Sequence, residues 1–248
     1  MQSADRIDQV FCLPYAGGSS MIFTKWPVPP GAPRWQGLDY PAHLLTLRQP
    51  PAASIEELAA AMAAKVLERA AGPYALFGVS MGALVAYEAA LLAEAAGRGP
   101  ELLVLAACLP PDRLLPHPGY RLSGIEPDDA MLAAFAARYQ GMDEQALGDP
   151  RIRELVLPVL RADVRLYEEY GERHAGAPAR PVAADLLLIG GTGDTAVPLA
   201  ELACWREHGT GAAELLEFEG DHFFVDKRAP ELVAELTARL RRRSVPVR

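Results

Sequence analysis

Ser80 stands in Gly78-Val79-Ser80-Met81-Gly82, a glycine–x–serine–x–glycine spacing. Ahead of it runs Tyr74-Ala75-Leu76-Phe77, a short apolar run with aromatic content that predicts a buried strand. Behind it, Ala83 to Leu92 is rich in alanine and leucine, the composition of a helix packed on a sheet. A serine on a sharp strand-to-helix turn forms a nucleophile elbow. Its hydroxyl is held clear of the backbone, at a helix N-terminus whose dipole favours nearby negative charge. The residues on either side must lack bulk, hence Gly78 and Gly82. The pentapeptide alone also fits a plain tight turn; the flanking strand and helix give it its chemical meaning.

Serine at neutral pH is a poor nucleophile, so Ser80 requires a base, and the base requires an orienting carboxylate. In α/β-hydrolases the order along the chain is Ser, then Asp or Glu, then His. Of the five histidines, His43 precedes the serine, and His117 and His174 fall in a helical insertion. His208 follows a helix with no distinctive flank, and an exposed surface position is expected for it. His222, in Glu219-Gly220-Asp221-His222-Phe223-Phe224, follows a strand and precedes the terminal helix, which makes it the candidate base. Two carboxylates compete to orient it. Asp194 lies in Gly190-Gly191-Thr192-Gly193-Asp194, just beyond one apolar strand, and Asp112 just beyond the preceding one. Both sit at strand C-termini, where α/β sites assemble. The glycine-rich loop favours Asp194, while Asp112 can simply pair with Arg113. The oxyanion formed on attack needs two backbone donors. Met81 N–H is one, and Ala16 N–H, from the loop Pro14-Tyr15-Ala16-Gly17-Gly18, is the second candidate. That loop fails as a phosphate loop, because no Gly-Lys-Ser/Thr follows it.

The elements that must position these groups alternate. Strands are predicted at Val10 to Leu13, Arg34 to Leu38, Tyr74 to Phe77, Leu102 to Leu109, Val182 to Ile189 and Ala213 to Phe218. Ser54-Ile55-Glu56-Glu57 reads as a capping box opening an alanine-rich helix, and Leu199 to His208 and Pro230 to Arg243 as later helices. The expected fold class is α/β: an α/β-hydrolase fold with a mostly parallel, doubly wound sheet. Residues 1–248 are read as a single domain, with a helical lid insertion at about 110–181 carrying helices at Asp128 to Tyr139 and Arg151 to Tyr170. The net charge of −8 argues against a nucleic-acid partner. No apolar run approaches the ~18 residues of a membrane span, and the N-terminus lacks an apolar signal region. Cys12, Cys108 and Cys204 are far apart and in no metal or redox spacing, so free thiols and a cytoplasmic setting are expected. No metal or cofactor is called for.

Taken together, Pro14-Tyr15-Ala16-Gly17-Gly18-Ser19, Phe77-Gly78-x-Ser80-Met81-Gly82-Ala83, Leu157-Pro158-Val159-Leu160-Arg161-Ala162-Asp163, the Asp194 loop and Gly220-x-His222-Phe223-Phe224 resemble type II thioesterases. The similarity spans nearly the whole chain. It implies hydrolysis of acyl thioesters from the phosphopantetheine arm of acyl or peptidyl carrier proteins in polyketide and nonribosomal peptide synthesis. It also implies an acid after the later strand, which supports Asp194. Two departures border the site: Val79 where the family usually has His, and Leu38-Asp39-Tyr40-Pro41-Ala42-His43 where it usually has Pro-Gly-Arg-like residues.

The expected enzyme is therefore a serine hydrolase working through an acyl-Ser80 ester, and a monomer. Rival readings are an esterase or acyltransferase with an alcohol or amine acceptor, and a catalytically idle interaction module. The insertion is expected to cover Ser80, offering Met131, Leu132, Phe135, Leu155, Leu160 and Leu166 to an acyl chain. Arg161 and Arg165, four apart on one helical face, are candidate carrier contacts, although Asp163, Glu168 and Glu169 lie close by.

Overall fold

The computed structural model describes residues 6–114, 121–140 and 150–243. In chain order the elements are β1 (Gln9–Leu13), α1 (Met21–Thr24), β2 (Arg34–Gly37), α2 (Ile55–Arg69), β3 (Tyr74–Val79), α3 (Met81–Ala95) and β4 (Leu102–Ala106). They continue with α4 (Asp128–Arg138), α5 (Pro150–His174), β5 (Asp185–Gly191), α6 (Leu199–Leu202), β6 (Ala213–Phe218), α7 (Phe224–Lys227) and α8 (Ala229–Arg243). The strands form a six-stranded sheet ordered β2-β1-β3-β4-β5-β6, and each neighbouring pair is parallel.

Strand periodicity of two explains the layers. Phe11, Leu13, Leu76, Leu103, Leu105 and Leu188 point to one face, packing with α2 and α3 through Leu58, Met62, Leu84 and Tyr87. Val10, Cys12, Phe77, Val104, Leu187 and Ile189 point to the other, packing with Phe23, Leu232, Val233 and Leu236 of α1 and α8. With helices on both faces the strands read as continuous apolar runs, as a doubly covered parallel sheet requires. The order of strands reverses between β1 and β3. In open α/β sheets the crevice at such a switch point, at the strand C-termini, is where ligands bind.

Element ends shift for identifiable reasons. The last sheet strand but one begins at Asp185 rather than Val182, because the Ala183 and Ala184 N–H groups donate to the Glu94 carboxylate (2.8 and 3.1 Å). β4 stops at Ala106 because Ala107 adopts φ 51°. The predicted helix 199–208 becomes one α-turn followed by a 3₁₀ stretch, Ala203–His208, that buries Trp205 and His208. Ser54 caps α2 as expected, its Oγ accepting the Glu57 N–H (3.2 Å), but Glu57 reaches the Ala53 N–H instead of that of Ser54. Among the described residues no helix is long and apolar enough to cross a membrane.

The turn after β3 is packed to the limit. A Cβ on Gly78 would lie 2.2 Å from the Gly82 carbonyl oxygen, and one on Gly82 would lie 2.3 Å from that of Leu13 and 2.5 Å from that of Pro14. Gly82→Ala is therefore expected to lower unfolding free energy by about 3 kcal/mol. Gly72→Ala, with nothing within 4 Å, should change it by less than about 0.5 kcal/mol. Urea denaturation of the two variants checks this.

Candidate active site

Ser80 is held at φ 52°, ψ −122°, between the end of β3 and the start of α3. For a residue with a Cβ this conformation costs on the order of 1–3 kcal/mol, and the surroundings enforce it. Its N–H donates to the Ala106 carbonyl (2.8 Å), tying the turn to β4. Ser80 Oγ lies 3.0 Å from His222 Nε2, and His222 Nδ1 lies 2.8 Å from Asp194 Oδ2. A carboxylate can only accept, so Nδ1 carries a proton and donates to Asp194; this leaves the Nε2 lone pair for the Ser80 hydroxyl. Asp194 Oδ1 accepts the N–H groups of Ala196 (2.9 Å) and Val197 (3.1 Å), fixing the carboxylate's orientation. The Asp194 and His222 side chains are 1 % and 4 % exposed. Their loops are joined by Gly193 N–H donating to Gly220 O (2.8 Å). Just after α4, the Tyr139 ring covers the imidazole, with centroids 4.7 Å apart.

The loop after β1 runs beside the serine turn, as the approach of Gly82 to Leu13 and Pro14 demands. The Pro14 carbonyl accepts from Tyr40 Oη (2.9 Å), and Tyr15 Oη donates to Asp226 (3.1 Å), beyond His222. Gly18 N–H donates to Tyr15 O (2.9 Å) and Gly17 N–H to the Asp163 carboxylate (2.7 Å). Those bonds engage the loop's two glycine donors, and Ala16 precedes both. Met81 is the first residue of α3, where a backbone N–H has no intrahelical acceptor. The structure thus brings Ser80, Met81, Asp194, His222 and the Ala16 loop to one place, at the C-terminal ends of β1, β3, β5 and β6.

Asp112 does not join them. Its Oδ1 lies 2.8 Å from His208 Nε2, and its Oδ2 accepts from Arg113 Nε (3.2 Å). This corrects the expectation that His208 is exposed: it is buried beside Trp205, with Nδ1 3.2 Å from Tyr87 Oη. His174 Nδ1 lies 2.9 Å from Tyr170 O on α5, and His117 lies outside the described residues. Among the described residues no group of three or more His, Cys, Asp or Glu is placed to hold a metal ion.

Helices α4 and α5 pack on each other and toward the site. Leu122, Met131, Phe135, Tyr139, Leu157, Leu160 and Val164 form a cluster that touches Ala16, Ala196 and Phe223. Of the apolar residues expected there, Leu166 instead belongs to the main core, and Leu155 is 54 % exposed. Arg161 is not a free cation. It donates to Ser123 O (2.7 Å) and Ile125 O (2.9 Å) and pairs with Asp128 (2.5 Å). Arg165 remains exposed.

Residues 8–240 match the family model described as a thioesterase domain. The chain is 34% identical over 230 residues to thioesterase TesA of Mycobacterium marinum, covering 92% of this chain and 88% of that one. The chain belongs to the thioesterase family. Among solved structures, ClbQ from the colibactin NRPS/PKS pathway superposes with a TM-score of 0.84 at 27% identity, covering 95% of this chain and 97% of that one. YbtT, a type II thioesterase from the yersiniabactin NRPS/PKS pathway, gives 0.81 at 26% identity, covering 98% and 96%. The fold is the α/β-hydrolase fold of these thioesterases.

Both sequence departures of this thioesterase now have a setting. Val79 is buried at the end of β3 and packs into the core on the α1/α8 face. Ala42 takes φ 61°, in the left-handed region that favours glycine. His43, beside it, is buried, with Nε2 2.9 Å from Asp163 Oδ2 and Nδ1 2.9 Å from Pro41 O. Sequence reasoning passed over this pair because 120 positions separate its members. The available signal was a charged residue on the apolar face of α5, at Asp163 between Leu160 and Val164.

Two predictions follow from these pairings. Asp194→Asn should reduce turnover by about 10⁴-fold, because an amide no longer enforces the His222 tautomer. Asp112→Asn should leave steady-state rates near wild type while costing about 1–2 kcal/mol of stability in denaturant titration. The second concerns pH. Burial opposes the charged form of His43, yet the hydrogen bond and Coulombic pull of Asp163, the Pro41 carbonyl and Asp39 outweigh it and raise its pKa above the ordinary 6.5. A folded pKa above the unfolded one means full stabilisation below about pH 6.5, lost as pH climbs through the raised value. Thermal melts should show stability falling on that alkaline side, and His43→Gln should flatten this part of the profile.

Proposed function

We propose that this thioesterase hydrolyses acyl groups from the phosphopantetheine arms of carrier proteins in polyketide or nonribosomal peptide biosynthesis, using Ser80 as nucleophile. The observation that carries the reading is the hydrogen-bonded series Ser80–His222–Asp194, within a chain of the thioesterase family. Ser80 Oγ attacks the thioester carbonyl carbon as His222 Nε2 takes its proton. The Ala16 and Met81 N–H groups stabilise the resulting oxyanion, each donor being worth on the order of 10²–10³ in rate. Collapse breaks the C–S bond, and the imidazolium returns the proton to the departing thiolate as it leaves as a thiol. Water then attacks the acyl-Ser80 ester, with His222 again as base, and the second collapse frees the carboxylic acid and regenerates Ser80. No metal or cofactor enters these steps.

Residues 110–181 act as a lid in this reading. The Met131, Phe135, Leu157 and Leu160 cluster against Ala16 and Phe223 supports it, since burial of an acyl chain there is worth about 0.8 kcal/mol per methylene. Carrier proteins tend to be acidic, and the chain itself carries −8. With Arg161 engaged internally, docking rests on shape and the pantetheine arm more than on an arginine patch. The enzyme works as a monomer.

Ser80→Ala and His222→Ala should each lower kcat by about 10⁶-fold with an unchanged circular dichroism spectrum. Activity of either variant within tenfold of wild type would remove the nucleophile–base assignment. For one acyl group, the carrier-bound thioester should show a higher kcat/KM than a small-molecule thioester. Equal values would leave a hydrolase without carrier preference. Adding alcohols or amines and analysing products separates hydrolysis from acyl transfer.

A further inference from the structure

The Asp163 carboxylate is the least expected charge near the site. It sits in the middle of α5 and is 2 % exposed. A carboxylate this deeply buried persists only if it is well paired, since its desolvation costs several kcal/mol. Its partners come from two distant parts of the chain, and Oδ2 accepts from both: the Gly17 N–H at 2.7 Å and His43 Nε2 at 2.9 Å. The other His43 nitrogen faces the Pro41 carbonyl, also an acceptor. Only the doubly protonated ring satisfies both contacts. Asp163 and His43 are therefore an ion pair, and the bond to Gly17 is charge-assisted.

Gly17 is gripped in a second way from the same helix. Its φ is +72°, and a Cβ there would lie 3.1 Å from Leu160 Cβ. Leu160 and Asp163, three apart, share one helix face, so α5 lays that face on the loop. Ala16 lies between two peptide planes. The plane carrying Tyr15 C=O and Ala16 N–H is held by Gly18 N–H donating to Tyr15 O (2.9 Å). The next plane, carrying Ala16 C=O and Gly17 N–H, is held by Asp163. Each plane is rigid, so fixing both fixes the direction of the Ala16 N–H.

We propose that Asp163 is a positioning residue for the oxyanion hole: from α5 it holds the Gly17 N–H and so aims the Ala16 N–H at the developing negative charge, while His43 offsets its own charge. This rests on the reading of Ala16 as an oxyanion donor to an adduct on Ser80. It makes the helical insertion a structural part of the hole as well as its cover. His43 is required because an unneutralised carboxylate beside Gly17 opposes the charge that the hole must stabilise.

The test compares the full-length wild-type protein with Asp163→Ala, Asp163→Asn and His43→Gln. The readouts are kcat, KM and affinity for an alkyl boronic acid, whose tetrahedral adduct on Ser80 places an oxygen in the hole. Asp163→Ala should lower kcat about 10²-fold with KM within about threefold, and boronate affinity should fall in parallel. Asp163→Asn, which keeps an acceptor for Gly17 N–H, should recover at least about tenfold of that loss. Should the alanine variant fail to fold, His43→Gln decides, with kcat and boronate affinity both expected to drop about tenfold. Values within about twofold of wild type for the alanine variant, or for His43→Gln in its place, would reduce Asp163 to a brace, whatever happens to Tm. A wild-type protein that hydrolyses no acyl thioester, or a Ser80→Ala variant that still does, would instead overturn the reading beneath it.

Discussion

Everything at this site depends on how closely three backbone segments meet where β1 and β3 end. Gly78 lies against the Gly82 carbonyl, and Gly82 against the carbonyls of Leu13 and Pro14, at separations where no side chain fits. That contact forces Ser80 into its positive φ and presses the Pro14–Gly18 loop against the first turn of α3. A candidate nucleophile, a helix N-terminus and the loop after β1 thereby occupy one crevice. Because the strand order reverses between β1 and β3, the crevice is open above the sheet, with β5 and β6 near enough to deliver an acid and a base.

Among the described residues three Asp–His pairs occur: Asp194–His222 and Asp163–His43, both buried, and Asp112–His208, half-buried at the carboxylate. Chemically they are the same interaction, and their third partners separate their roles. His222 presents its second nitrogen to a serine hydroxyl and serves as a candidate base. His43 presents its second nitrogen to a carbonyl, which favours the cation. His208 meets Tyr87 Oη, which also donates to Arg180 O (2.6 Å), and ties the end of β4 to the chain leading into β5. An Asp–His pair does not make an acid–base catalyst; what matters is what the free nitrogen sees.

The helical insertion is fastened to the body by buried polar contacts as well as by apolar packing. Besides Asp163, the buried Glu88 of α3 accepts from Tyr170 Oη (2.5 Å) and pairs with Arg180, so both flanks of the second half of α5 are held. At the surface, Arg173 also pairs with Glu56 at the start of α2. Removing one partner from a buried charged pair is costly, which makes this half of α5 a fixed reference from which Asp163 and Leu160 reach the loop.

Local chemistry in the sequence determined a good deal. The glycines around Ser80, the apolar runs and the serine–acid–histidine order follow from short-range sterics, periodicity and the fixed direction of the chain. They placed the six strands with ends shifted by up to three residues, and the strand-to-helix turn at Ser80. Choosing Asp194 over Asp112 was already a weaker inference, because both follow sheet strands; the structure sets Asp194 against His222 and Asp112 against His208. Only the tertiary structure decided that Asp163 and His43, 120 positions apart, form a buried pair, that Arg161 points inward, and that His208 is enclosed. A charged residue reads the same in sequence whether it is solvated or buried. Its state is set by partners that long-range packing brings to it, and no local pattern encodes them.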